Sequence, residues 1–67
     1  MEDLQKVCDL LTETLKATRN LNELEKLEYQ KNSEIVIATF TNGNIKKVNV
    51  MLDSGTAMIT DIIKQIA

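Results

Sequence analysis

One short string in this chain concentrates residue types suited to chemistry: Asp53-Ser54-Gly55-Thr56, directly after the apolar pair Met51-Leu52. A carboxylate in such a setting takes part in acid–base hydrolysis when a second carboxylate shares its proton. One copy of the chain supplies one such carboxylate, so the chemistry would require a two-fold dimer. The other nucleophile is Cys8. The chain has a single cysteine and no histidine, so this thiol has no imidazole base to activate it. It also lies between Val7 and Leu11 at apolar helical spacing, which predicts a buried, inert thiol. One thiol without histidine cannot build a zinc site. No glycine-rich phosphate loop, paired catalytic carboxylates or metal-ligand constellation occurs in the sequence. The expectation is a non-enzyme without cofactor or metal.

The string Asp53-Ser54-Gly55-Thr56 resembles the active-site loop of aspartic proteases, where Asp-Thr/Ser-Gly follows an apolar strand. The resemblance implies a dimeric aspartic hydrolase with Asp53 as the catalytic carboxylate. Three features oppose it. Retroviral-type protease subunits are longer and nearly all β. Their loop leads into further strands, whereas Ala57 to Ile66 has helical spacing. No second apolar-apolar-Gly segment is present to lock the loop. A helix cap at Asp53 or Ser54, followed by a packing glycine at Gly55, accounts for the same residues.

Sixty-seven residues make one domain, 1–67, of a size that buries only about 60% of the surface its unfolded chain exposes. Disulfides and metal are excluded as staples, which leaves self-association or very regular packing. The net charge of −2 argues against binding driven by phosphate contacts. The only adjacent basic pair, Lys46-Lys47, would point to opposite faces of a strand. No apolar run approaches the roughly 18 residues of a membrane span, and the acidic amphipathic MEDLQK start is unlike a signal peptide. The expectation is a complete small gene product in the cytoplasm of a bacterial host, with no direct nucleic-acid or membrane binding.

Leu4, Val7, Cys8, Leu11 and Leu15 form one helical stripe, and Leu10 lies beside it, free to widen the buried face or to meet a partner. Leu21, Leu24 and Leu27 do not continue that stripe. Asn22 with Glu25 three residues on has the form of a capping box. The spacing predicts a helix over 2–19, a kink at 20–22 and a short helix over 22–30, or else one bent helix. Ile35 to Phe40 is β-branched and aromatic, as in strands. Asn42-Gly43 is a two-residue hairpin signal, and Ile45 to Met51 returns as the partner strand. The hairpin is expected over 34–51 with its turn at 42–43. That register pairs Phe40 with Ile45, Ile37 with Val48 and Ile35 with Val50. It puts Ile35, Ile37, Val48 and Val50 on the core face. Val36, Ala38, Phe40 and Ile45 then lie on the outer face, with Lys47 and Asn49. A helix over 54–66 follows, with Ile59, Ile62, Ile63 and Ile66 on its buried stripe. Met51 and Met58 are expected in the core.

The C-terminal half is similar to small proteins of phages and prophages of Gram-positive bacteria. These end in strand, Asn-Gly-type turn, strand and a segment close to Asp-Ser-Gly-x-Ala-Met-Ile-x-Asp-Ile-Ile. The matching residues are Asn42-Gly43, Val48-Asn49-Val50 and Asp53-Ser54-Gly55-Thr56-Ala57-Met58-Ile59-Thr60-Asp61-Ile62-Ile63, about half the chain. The resemblance implies a phage or mobile-element setting, in which small acidic proteins often inhibit host machinery, anti-CRISPR and other anti-defence proteins included. It carries over no site residues.

Together these readings predict an α+β fold in the order α-β-β-α, with a long kinked N-terminal helix, a two-stranded antiparallel hairpin and a C-terminal helix, completed by dimerisation. The expected function is non-catalytic protein binding, in the form of an inhibitor of a host protein. A structural or assembly protein of the phage or element is the alternative, and a dimeric aspartic hydrolase the remote one. The candidate self-association surface is Phe40 and Ile45, or Leu10, Leu21 and Leu24. Glu23, Glu25 and Glu28 form the only charge cluster. They are read either as a solvated face or as an acidic surface that steers a basic host protein into contact.

Overall fold

The computed structural model describes residues 3–50 and 54–66, so the expectations for Glu2, Met51 and Asp53 lie outside the described residues. The class is α+β. The order is α1 (Leu4–Lys16), β1 (Leu24–Gln30), β2 (Ile35–Phe40), β3 (Ile45–Asn49) and α2 (Gly55–Ile66). The strands form an antiparallel meander in the order β1-β2-β3.

Helix α1 starts where Asp3 caps it, its carboxylate accepting from the Lys6 N–H at 3.0 Å. The helix ends at Lys16, short of the expected Arg19. There the Thr18 hydroxyl donates to the Leu15 carbonyl at 2.6 Å and accepts from the Leu21 N–H at 3.3 Å. One side chain thereby satisfies a terminal carbonyl and starts the turn. The predicted stripe holds: Cys8, Leu11 and Leu15 are buried, and Leu4 and Val7 pack against the core.

The helix expected over 22–30 is instead strand β1, so the sheet has three strands rather than two. A β-bulge explains the difference. Leu24 pairs with Phe40, but Lys26 pairs with Thr39, leaving Glu25 as the extra residue. An inserted residue lets two side chains three positions apart reach the same face of a strand. Leu24 and Leu27 are both fully buried, and their spacing of three imitates a helix.

The β2–β3 turn also differs. Phe40 N donates to Asn44 O at 2.9 Å and Gly43 N to Phe40 O at 3.0 Å. These bonds enclose a three-residue loop, Thr41–Gly43, rather than the two-residue turn at 42–43. Gly43 has φ 90, the left-handed conformation that such loops need in third position. The Asn42 side chain accepts from the Asn44 N–H at 3.0 Å. The longer loop slips the register by one, to Thr39↔Ile45, Ile37↔Lys47 and Ile35↔Asn49. A one-residue slip exchanges a strand's faces. Val36, Ala38 and Val48 are therefore fully buried, and Ile35 and Ile37 leave the expected core face.

Both helices cover the same face of the sheet, α1 over β1 and α2 against α1 and β3. The Ser54 hydroxyl accepts from the Ala57 N–H at 3.3 Å and its carbonyl from the Met58 N–H at 2.8 Å, which caps α2. Gly55, Met58, Ile62 and Ile66 form its buried line. Ile63, expected on that line, is 40% exposed.

Candidate functional site

Cys8 has no accessible surface, and burial, with a smaller contribution from the neighbouring Asp9 carboxylate, pushes its thiol up to about 11. That thiol stays protonated at neutral pH and is a poor nucleophile. Among the described residues no group of three His, Cys, Asp or Glu side chains could hold a metal ion. Ser54 is occupied as a helix cap.

The sequence-derived interface residues do not come together. Leu21 and Leu24 are buried in the core of the single chain, so they cannot form the partner surface expected of them. Leu10 is 57% exposed on α1, away from the helix's buried stripe. Phe40 and Ile45 fall on opposite faces. Phe40 packs half-buried against the core, whereas Ile45, paired with Thr39, lies on the outer face and is 60% exposed. The glutamates are also divided. Glu23 and Glu25 are exposed at the start of β1 and at its bulge. Glu28 is half-buried, one carboxylate oxygen 3.2 Å from Lys26 Nζ and the other accepting from Gln30 Nε2 at 2.7 Å.

The two edges of the sheet are treated differently. The bonded pairs Phe40/Asn44 and Val50/Glu34 fix which backbone groups face inward. By alternation, Leu27 and Tyr29 point their peptide groups off the β1 edge, and Ile45 and Lys47 off the β3 edge. The Gln5 side chain closes the first edge. Its amide nitrogen donates to Leu27 O at 3.2 Å and to Asp9 Oδ1 at 2.9 Å, and its oxygen accepts from Tyr29 N–H at 2.8 Å. One amide thus takes the place of a neighbouring strand. The β3 edge instead carries exposed Lys46 and Lys47, charges that discourage a further strand from adding there.

The remaining surface is the outer face of the sheet, opposite the helices. The two registers place three rows across it: Lys26–Thr39–Ile45, Glu28–Ile37–Lys47 and Gln30–Ile35–Asn49. Ile35, Ile37 and Thr39 on the central strand are half-buried. With Ile45 they make an apolar patch rimmed by Lys26, Lys47, Glu28 and the amides of Gln30 and Asn49, and no described element covers it. The sequence alone missed it because Ile35 and Ile37 were expected in the core. The signal that could have revealed it is the capacity of Asn42-Gly43 to serve a three-residue loop as well as a two-residue one. No helix among the described residues is long and apolar enough to cross a membrane. No protein-family model, curated protein or solved structure matches this chain.

Proposed function

We propose that this chain is a non-catalytic protein-binding module that acts through the outer face of its sheet. The observation that carries the reading is the patch of half-buried Ile35 and Ile37 with exposed Ile45, which no described element covers. An apolar centre with a polar rim is the anatomy of a protein-binding surface. The protonated, buried Cys8 thiol gives no support to a catalytic alternative. The resemblance of the C-terminal half to phage and prophage proteins supports a narrower form, in which binding inhibits a host protein. A structural or assembly role in the same setting is the alternative.

Tagged wild type and an Ile37→Asp twin, expressed in a bacterium, test the reading. The wild type should retain a protein partner, or associate with itself, and the folded twin should lose that association. Equal behaviour of the two would remove the outer face from the function. Large homogeneous particles of the wild type would favour the assembly role over inhibition.

A further inference from the structure

We infer that the outer face binds a second copy of this chain about a two-fold axis parallel to the strands; this rests on the binding role proposed for that face. The argument is the order of residue types across the middle row, Glu28–Ile37–Lys47, which runs from acidic through apolar to basic. An isologous contact brings one patch against itself, so the axis direction decides which residues meet. An axis perpendicular to the strands and in the plane of the faces would set β1 over β1, with Glu28 facing Glu28 and Lys47 facing Lys47. An axis along the strands sets β1 of one copy over β3 of the other. Glu28 then faces Lys47 twice, and Ile37 meets Ile37 between them.

The flanking rows agree with this axis. In the Gln30–Ile35–Asn49 row, amide faces amide at both ends and Ile35 meets Ile35. In the Lys26–Thr39–Ile45 row, the alkyl stem of Lys26 lies over Ile45, as long cationic side chains commonly lie on apolar surface. An axis along the strands also accommodates the roughly 30° at which twisted sheets cross when packed face to face. Lys47 forms no ion pair within its own chain among the described residues. Glu28 already receives Lys26 and Gln30, but a carboxylate offers about four acceptor sites. The second copy therefore gives Lys47 its counter-charge without displacing an existing bond.

The face is small. Three strands about 4.8 Å apart and five residues long at about 3.4 Å each give a flat footprint of roughly 240 Å². A standard interface buries about 800 Å² per partner, so the dimer is weak and depends on concentration.

Sedimentation equilibrium across a concentration series reads it, with circular dichroism to confirm folding. The mass of the wild type should rise from 7.6 kDa towards twice that value at high micromolar concentration, and less so as salt is raised. Lys47→Glu and Glu28→Lys should each weaken association about tenfold or more, and the Glu28→Lys/Lys47→Glu double variant should recover it. A wild type that stays monomeric at millimolar concentration overturns the inference. So do single variants that associate as the wild type does, or a double variant no better than the singles. If the wild type is monomeric while Ile37→Asp still abolishes retention of another protein, the second copy is wrong and the binding role stands. If Ile37→Asp changes neither mass nor retention, both fail.

Discussion

Replacing Gln5 by alanine should destabilise this protein out of proportion to the residue's position on α1. Gln5 makes two bonds to the outward edge of β1, to Tyr29 N–H at 2.8 Å and Leu27 O at 3.2 Å, both partly buried. A hydrogen bond contributes a net of about 0.5–1.5 kcal/mol, so the pair contributes about 1–3 kcal/mol. Alanine returns a few tenths of a kcal/mol in helix propensity, leaving a loss near 2 kcal/mol. Stabilities of about 0.05–0.15 kcal/mol per residue put the whole domain at roughly 3–10 kcal/mol. The loss is therefore a large fraction of the total. It should lower Tm by about 8–16 °C, at about 4–8 °C per kcal/mol for a domain of this size. Urea unfolding of Gln5→Ala beside Lys6→Ala, an exposed neighbour on the same helix, measures the difference. Hydrogen exchange at the Tyr29 amide should accelerate in Gln5→Ala alone. Gln5→Glu keeps an acceptor for Tyr29 but turns a carboxylate towards Leu27 O, so it should not restore stability. If Gln5→Ala and Lys6→Ala unfold within about 0.5 kcal/mol of each other, an exposed-surface effect, the edge-closing role is wrong.

Gly43→Ala meets no atom within 4 Å but must hold φ at 90, so strain alone should cost about 1–2 kcal/mol, read by urea unfolding, with Gly43→Asn costing less. Deleting Glu25 should leave a folded protein within about 1 kcal/mol of the wild type, because Leu24 and Leu27 then share a face by simple alternation; loss of the fold would contradict the bulge. Cys8 links stability to alkaline pH. Its folded pKa of about 11 lies above the ordinary thiol value of 9.0, so the folded state holds the proton more tightly. The resulting stabilisation is full below 9.0 and lost as pH rises towards about 11. The urea midpoint of the wild type should fall between pH 9.0 and about 11 more steeply than that of Cys8→Ala, and parallel slopes would refute the linkage. Ser54→Ala removes the hydroxyl that caps α2 and should cost about 0.5–2 kcal/mol by thermal unfolding.

How far the sequence could be read depended on how local each signal was. The α1 stripe Leu4–Leu15, the strand composition of Ile35–Phe40 and the cap at Ser54 each declare their element within a few residues, and each element is present. Glu23-Leu24-Glu25-Lys26-Leu27 is ambiguous at that range. Its leucine spacing suits a helix or a bulged strand, and its composition favours the helix. It becomes a strand because β2 has a second edge to satisfy and the buried sites beside Ala38 and Phe40 accept Leu27 and Leu24. The candidate site was lost for a related reason. A two-residue turn points Ile45 outward but Ile35 and Ile37 inward, and one extra loop residue exchanges the faces of β2.

The Asp53-Ser54-Gly55-Thr56 string, with Cys8, first held the chemical interest of the chain. Cys8 is buried, and Ser54 and Gly55 serve the start of α2. The sequence by itself determined the class, the positions of α1, β2, β3 and α2, and the fate of Cys8, because helical and strand patterns, caps and a lone thiol on an apolar stripe act through near neighbours. Only the tertiary structure decided the third strand, the closing of its edge by Gln5, and the outer row Glu28–Ile37–Lys47. Those depend on strand register, which pairs residues far apart in the chain and is set by a single residue more or less in a loop or a bulge.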